Sequence, residues 1–132
     1  MLKLEKKSSW NSIYRGVEIN CEDAHIIVTS NPARSAKLDA ILRVESSGSG
    51  WRLPTEKEAQ VIRRFLQPIH ELMRKNGGHE LNRKGTIWLH GKYGSPDMLG
   101  SVQGRIFSLR FGICCWNWWW IERDYILIRT VD

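Results

Sequence analysis

Cysteine is scarce in this chain of 132 residues, and its placement argues against the frameworks usually built on it. The three cysteines are Cys21, Cys114 and Cys115. An odd count with an adjacent pair suits a disulfide scaffold poorly, because neighbouring side chains on a strand point to opposite faces. No CxxC spacing occurs, and the histidines show no ligand spacing. These histidines are His25, His70, His79 and His90. We therefore expect reduced thiols, no metal site and no cofactor.

Long apolar runs are also missing. No stretch of about 18 or more apolar residues occurs, so the sequence predicts no membrane-spanning helix. Residues 1–7 carry positive charge without an apolar run behind them, so we expect no secretory signal peptide. Together with the reduced thiols, this pattern predicts an intracellular protein or one assembled into a particle inside a cell.

The rest of the composition is that of a globular domain. Hydrophobic residues make up 42% of the chain and charged residues 26%, which is enough apolar surface to offset the entropy of ordering. The length fits one domain spanning residues 1–132. Two departures from the average are the seven tryptophans and the formal net charge of +6.

The first half of the chain predicts strands and then helices. Alternating or β-branched runs at 13–19 and 24–29 are typical of strands. Asn31 and Pro32 form a helix-start signal. That helix should carry Leu38, Ile41 and Leu42 on one face and end before residue 46.

A second helix is predicted from the capping box formed by Thr55 and Glu58. An apolar stripe at helical spacing follows, with a kink or break expected near Pro68 and an end at residues 76–78. The later strands are predicted at 86–90, 105–111, 114–121 and 124–131. Two helices early and an antiparallel sheet late give the α+β class.

The segment Gly50–Glu58 has the sequence GWRLPTEKE. It resembles the GWRLPTxxE segment of bacterial C-type-lectin-like domains, which include the sulfatase-modifying formylglycine-generating enzymes and their non-enzymatic relatives. The resemblance implies a C-type-lectin-like fold in which this segment joins the first helix to the second. It also implies that the strand at 125–129 returns beside the first strand and closes the sheet. The residues themselves predict packing and helix capping.

Enzymes of that superfamily use cysteines or histidines in their C-terminal parts. Cys114 and Cys115 are adjacent and do not match a separated reactive pair, so we predict no enzymatic activity and no catalytic residues. Calcium-dependent lectins carry a proline motif in a long loop and a W-N-D motif on a strand. Here Ser95-Pro96-Asp97 is followed by Trp116-Asn117-Trp118, in which tryptophan replaces the acid. Calcium needs six to eight oxygen ligands, so calcium binding is not predicted.

The most unusual feature is the run CCWNWWWI at 114–121. On a strand, Trp116, Trp118 and Trp120 share one face, and Asn117 and Trp119 share the other. Because both faces are largely apolar, the strand is either buried on both sides or exposes a contact surface. Trp119→Ala and Trp120→Ala, made singly, should keep the fold and abolish partner binding if the strand is a contact surface.

The predicted binding face combines this strand with the loop at 91–104. Its residues are Tyr93, Asp97, Trp116, Asn117, Trp118, Trp119, Trp120 and Arg123. The function predicted is a non-catalytic binding or assembly module for a protein or glycan partner, and the resemblance adds a phage virion or receptor-binding component as one setting. Two alternatives stay open. One is a structural subunit buried in a homo- or hetero-oligomer through the tryptophans; the other is a degenerate enzyme with a thiol-based activity.

Basic pairs recur around the second helix, at residues 63–64, 74–75 and 83–84. A polyanion could follow such a stripe. Acidic residues are interspersed with these pairs, however, and no groove-reading motif is present. The stripe is therefore interpreted as a solvated helix face, and nucleic acid is not predicted as a partner.

Overall fold

A computed structural model describes residues 7–30, 33–37, 43–93, 103–118 and 121–131. In these ranges the chain forms two helices, nine strands and a further helical turn at 43–46, so the predicted α+β class is confirmed. The strands are β1 (Ser8–Asn11), β2 (Gly16–Asn20), β3 (His25–Thr29), β4 (Ala33–Ala36), β5 (Thr86–Tyr93), β6 (Gln103–Ser108), β7 (Cys114–Trp118), β8 (Arg123–Tyr125) and β9 (Ile128–Thr130). The helices are α1 (Glu56–Arg64) and α2 (Leu66–Lys75).

The first sheet is antiparallel, in the order β1-β2-β3-β9. The strand predicted at 24–29 is confirmed as β3. The one predicted at 13–19 is wrong at its start, because residues 12–15 form a turn between β1 and β2. The Asn11 side chain accepts a hydrogen bond from the Tyr14 amide at 3.0 Å, and Arg15 has a φ of 53°. An Asx-type turn thus interrupts a run whose alternation is typical of a strand.

The second sheet has the order β4-β8-β5-β6-β7. Its pairs are antiparallel except for β5 with β8, which is parallel through Ile87 and Asp124. The predicted C-terminal sheet is therefore mixed rather than antiparallel. The register of β5 and β6 shifts between Trp88 and Lys92, which marks a bulge.

The helix predicted from Asn31 is wrong at residues 33–36, which form β4 and pair with β8. Helical structure is found at residues 43–46, near the predicted end. The predicted cap and apolar face lie outside the described residues; they are Asn31, Pro32, Leu38, Ile41 and Leu42. Pairing with a neighbouring strand overrides a local helix-start signal here.

The strand predicted at 124–131 is divided into two strands in different sheets. β8 belongs to the second sheet, whereas β9 pairs with β3 in the first. The strand predicted as the first, at 13–19, corresponds to β2. The last strand, β9, lies next to β3 in that sheet, so β9 does not pair with β2. Ile126 is buried where the chain crosses from one sheet to the other.

The second predicted helix is confirmed in its start, its break and its end. The Thr55 hydroxyl accepts from the Glu58 amide at 3.3 Å, and Glu58 accepts from the Thr55 amide at 2.9 Å. The helix breaks at Phe65, and Pro68 then occupies the first turn of α2, where its missing N–H costs least. Asn76 caps α2, and the Gly78 amide donates to the Met73 carbonyl at 2.8 Å.

The main core lies between the first sheet, the two helices and one face of β5 and β6. It holds residues such as Ile19, Val28, Ile62, Ile69 and Phe107, all fully or almost fully buried. A smaller cluster on the other face of the second sheet contains Leu53, Trp88 and Ile106, with Tyr125 and Leu127 packed against it.

The GWRLPTEKE segment fastens α1 to the last strand. Arg52 forms two hydrogen bonds of 2.7 Å with the Glu58 carboxylate and a third of 2.8 Å with the Thr130 hydroxyl. Its backbone forms an antiparallel bridge with Ile128. Leu53 is fully buried in the smaller cluster. The packing and capping roles expected of this segment are thus present in the fold.

Candidate binding surface

The described part of the tryptophan strand lies at the surface. β7 is the last strand in the order of the second sheet, and 52% of Trp116 and 38% of Trp118 are exposed. Their cross-strand partners on β6 are Arg105 and Gln103, so these four residues share one face. Of the two readings that the sequence left open for this strand, burial on both sides does not hold for Trp116 and Trp118.

Two more large apolar side chains are exposed where β6 turns into β7. Phe111 is 63% exposed and Ile113 is 57% exposed. The guanidinium of the exposed Arg110 lies 5.0 Å from the centre of the Phe111 ring. We call Arg110, Phe111, Ile113, Trp116 and Trp118 the hairpin surface.

Helix α1 holds this hairpin with side chains from successive turns of one face. The Gln60 amide donates to the Gly112 carbonyl at 2.8 Å. Arg63 donates from Nε to the Leu109 carbonyl at 3.1 Å and from Nη2 to the Arg110 carbonyl at 3.2 Å. The turn is shaped for this contact, since Gly112 has a φ of 71° and a Cβ there would lie 3.1 Å from the Arg63 guanidinium. The hairpin surface is therefore presented by a restrained backbone.

Glu56 in the first turn of α1 makes the third contact, a close ion pair with Arg105. This hydrogen bond lowers the pKa of the Glu56 carboxyl below its ordinary value. The Cys114 thiol lies against the same carboxyl. Burial, followed by the hydrogen bond to Glu56, raises the pKa of Cys114. Cys114 is thus held as a neutral thiol, which is the less nucleophilic form.

A shallow pocket of about 390 Å³ opens beside Trp116. It is lined by Arg105, Cys114, Cys115 and Trp116, and Cys115 is exposed. The lining combines the Trp116 indole, the Cys114 sulfur and the stem of Arg105, whose charge is paired with Glu56. This chemistry suits an apolar side chain with a polar group at one edge.

The other predicted site residues are not placed in the hairpin surface. Asp97, Trp119 and Trp120 lie outside the described residues. The backbone of Tyr93 pairs with Gln103, which in turn pairs with Trp118, so Tyr93 is two strands from β7 at the same level of the sheet.

Asn117 lies on the opposite face of β7 from the two exposed tryptophans. Its Oδ1 accepts from the Trp118 amide at 3.0 Å, and its Nδ2 is buried with no hydrogen-bond partner among the described residues. Arg123 lines a separate polar recess with Asn82, Lys84 and Asp124, so it is not brought to the hairpin surface.

Sequence reasoning missed Phe111, Ile113 and the α1 contacts that fix the hairpin. A signal for the first two was present, because apolar residues on both sides of a turn glycine are unusual in a solvated loop. The contacts of Gln60 and Arg63 were not visible, because both side chains donate to backbone carbonyls that are about 50 residues away in the sequence.

The basic pairs around the helices are mostly engaged within the chain. Arg63 bonds the hairpin, Arg64 pairs with Asp23 at 3.2 Å, and Arg74 pairs with Glu80 at 3.0 Å. The Nε atom of Arg83 lies 3.1 Å from Nδ1 of His70. These contacts give most of the predicted stripe a local structural role.

Within the described ranges, no group of three or more His, Cys, Asp or Glu side chains is placed to hold a metal ion. No helix in these ranges is long and apolar enough to cross a membrane. Neither a scan against protein-family models nor a search of curated proteins finds a match to this chain, so the C-type-lectin-like resemblance is still a prediction.

Proposed function

We propose that this domain is a non-catalytic binding module that recognises a polypeptide partner through the hairpin surface. One observation carries the proposal: four large apolar side chains are exposed along one hairpin whose backbone is fixed by α1. Exposed apolar clusters of this kind are typical of interaction sites, and Trp, Phe and Arg are common among the residues that dominate binding energy.

The restrained backbone supports the same proposal. A surface that is already ordered loses less conformational entropy when a partner binds, so more of the contact energy appears as affinity. The pocket beside Trp116 adds a concave position where one side chain of the partner can be buried.

A polypeptide fits this surface better than a glycan does. Sugar rings stack on flat aromatic faces and need polar groups around them. Here Phe111 and Ile113 extend the apolar area to the tip of the hairpin. This added apolar area is buried most effectively by apolar side chains of another protein.

The raised pKa of Cys114 supports a role without thiol catalysis, because a catalytic thiol needs a lowered pKa. The fold proposed for the module is C-type-lectin-like. Support comes from the GWRLPTEKE segment, which enters α1 after the helical turn at 43–46, and from the return of β9 to the N-terminal sheet.

The direct test is selection of a random dodecapeptide display library on the immobilised protein, followed by affinity measurement on the enriched peptides. Trp116→Ser and Ile113→Ser should each weaken binding of these peptides by about tenfold or more, because each removes exposed apolar area from the hairpin surface.

Ile13→Ser is the matched control for Ile113→Ser. Ile13 is 83% exposed on the turn between β1 and β2, so the substitution removes the same side chain from a different surface. The peptides selected on the unmodified protein should bind Ile13→Ser with the same affinity. The proposal fails if no peptide is enriched, or if Ile113→Ser and Ile13→Ser have equal effects.

A further inference from the structure

We infer that the polypeptide segment bound at the hairpin surface is acidic, an inference that rests on the function proposed above. Residues 103–118 include Arg105 and Arg110 and contain no Asp or Glu. The whole chain has a formal net charge of +6. A partner with carboxylates is thus favoured both at long range and in the contact itself.

Arg110 is the residue placed to meet a carboxylate. Its guanidinium lies over the exposed Phe111 ring, and its own carbonyl is bonded by Arg63, so the backbone at this position is fixed. Among the described residues, the arginine side chains paired with carboxylates are Arg52, Arg64, Arg74 and Arg105. Arg110 has no carboxylate partner among the described residues, so it offers a cation at the edge of an apolar patch.

The pocket beside Trp116 gives the segment its second feature. An apolar side chain in this pocket would contact the Trp116 indole and the Cys114 sulfur, which lie on the same face of β7. The paired charge of Arg105 at the rim does not require a further counter-ion. The expected ligand therefore combines an apolar anchor with one or more Asp or Glu residues.

A second copy of this chain fits the surface less well. A twofold contact through the hairpin would bring Arg110 and the excess positive charge of each copy together, and like charges oppose such pairing. An anionic bilayer is also less suitable. The Glu56 carboxylate lies at the surface beside Arg105, and a flat, fluid interface would leave the pocket unfilled.

The test uses the peptides enriched from the random dodecapeptide library. We expect them to be rich in Asp and Glu around an aromatic or aliphatic residue. Replacing every Asp and Glu of a selected peptide by Asn and Gln should weaken binding by about tenfold or more, as should Arg110→Glu in the protein.

Lys84→Glu is the matched control, because it makes the same change in net charge at an exposed turn outside the hairpin surface. Its effect should stay within about threefold, the size expected of a long-range charge term alone.

The outcomes separate this inference from the function beneath it. Enriched peptides that need Trp116 but are neutral or basic would overturn the acidic segment and leave the binding module intact. Equal effects of Arg110→Glu and Lys84→Glu would also overturn it. Failure to enrich any Trp116-dependent peptide would contradict both the acidic segment and the proposed binding function. The last measurement is binding to vesicles of phosphatidylcholine with about one-third phosphatidylglycerol. Trp116-dependent binding to these vesicles without peptide binding would show that the ligand is a membrane surface and would contradict a polypeptide segment.

Discussion

Arg129 shows how single residues join distant parts of this chain. Its guanidinium lies 3.9 Å from the centre of the Tyr14 ring and 5.1 Å from that of Trp51. The two rings are 6.3 Å apart and nearly perpendicular. The turn between β1 and β2 is therefore linked to β9 and to the GWRLPTEKE segment by cation–π contacts.

Gly50 makes room for this cluster, and its replacement is the first prediction. Gly50 has a φ of 85°, and a Cβ there would lie 2.6 Å from Nη2 of Arg129. Gly48→Ala is the control, since Gly48 has a φ of 79° with nothing within 4 Å. Both variants incur backbone strain of about 1 kcal/mol. Gly50→Ala should lose a further ~0.5–1 kcal/mol in urea unfolding, because the Arg129 guanidinium has to move away from the Tyr14 and Trp51 rings. Equal losses would show that the Arg129 contact is not important for stability.

His70 is a buried titratable group in the core. It is fully buried, and its Nε2 accepts from the Leu81 amide at 3.1 Å, while Arg83 Nε lies 3.1 Å from Nδ1. A neutral imidazole has one acceptor nitrogen, so the ring can serve only one of these donors at a time. Burial, followed by the nearby charge of Arg83, lowers the pKa of His70; Glu80 opposes this and Arg74 adds to it.

Stability should therefore depend on pH through His70. The folded pKa lies below the ordinary value of 6.5, so the unfolded chain binds more protons as the pH falls below that value. The free energy of unfolding should decrease with falling pH in this window, by up to about 1.4 kcal/mol per pH unit. Urea unfolding at about pH 7.5 and about pH 5.5 measures this, and His70→Gln, which retains an acceptor but does not titrate in this range, should reduce the dependence. An unchanged dependence in His70→Gln would assign it to other groups.

At the scale of single residues, the sequence predicted the roles of residues that interact with close neighbours in the sequence. Thr55 and Glu58 are three residues apart and their capping box forms as expected. Asn117 and Arg123 could not be placed, because their surroundings depend on how β7 and β8 are arranged in the sheet. The exposure of Trp116 and Trp118 depends on β7 lying at the end of the strand order, which no local pattern specifies.

Among the secondary-structure elements, α1 makes two sets of contacts. Glu58 near its start pairs with Arg52, and Gln60 and Arg63 further along donate hydrogen bonds to the hairpin. Burial alone would raise the pKa of Glu58, but hydrogen bonds from Arg52 and Thr55 outweigh it and lower that pKa. The Glu58 side chain is 13% exposed and that of Arg52 is 28% exposed, so solvent screens the pair only in part.

Glu58→Gln should destabilise the fold by about 2 kcal/mol, because it leaves Arg52 without its charge partner and weakens the cap. Urea unfolding near neutral pH is the measurement. Glu71→Gln is the control, since Glu71 is exposed on α2, and it should change stability little. If both variants unfold alike, the ion pair does not stabilise the junction of α1 and β9.

The hold of α1 on the hairpin gives a prediction about local motion. Arg63→Met removes both hydrogen bonds to the carbonyls of Leu109 and Arg110 while keeping an apolar stem. Amide hydrogen exchange at residues 109–112 should become faster, with little change in β2 and β3. Arg64→Met on the same helix removes the contacts with Asp23, Cys21 and the Phe65 ring, none of which belongs to the hairpin, and should leave the hairpin amides unaffected. Unchanged exchange in Arg63→Met would contradict a restrained hairpin.

Elements with a strong local code were predictable, and those made by long-range pairing were not. The second helix has a cap, an amphipathic stripe and a terminal glycine, and it forms where expected. Residues 33–36 become a strand only because β8 lies beside them. The run at 124–131 divides because its two ends pair with different sheets, and uniform β-branched character carries no signal for that crossing.

For the whole molecule, the charge of the hairpin surface predicts a monomer. Size-exclusion chromatography with light scattering should give a mass near 15.4 kDa, because basic surfaces of two copies repel each other. A defined oligomer that Trp116→Ser dissociates would instead favour the alternative of a structural subunit, in which the tryptophans are buried between copies.

The central claim is that the exposed apolar residues of the hairpin serve contact rather than folding. The most direct test is the free energy of unfolding of Ile113→Ser/Trp116→Ser, with Trp88→Ala as the reference for a fully buried tryptophan. We expect the double variant to stay within about 1 kcal/mol of the original chain, while Trp88→Ala loses about 3 to 5 kcal/mol. A loss in the double variant as large as that of Trp88→Ala would show that the hairpin surface is part of the core and would contradict the account.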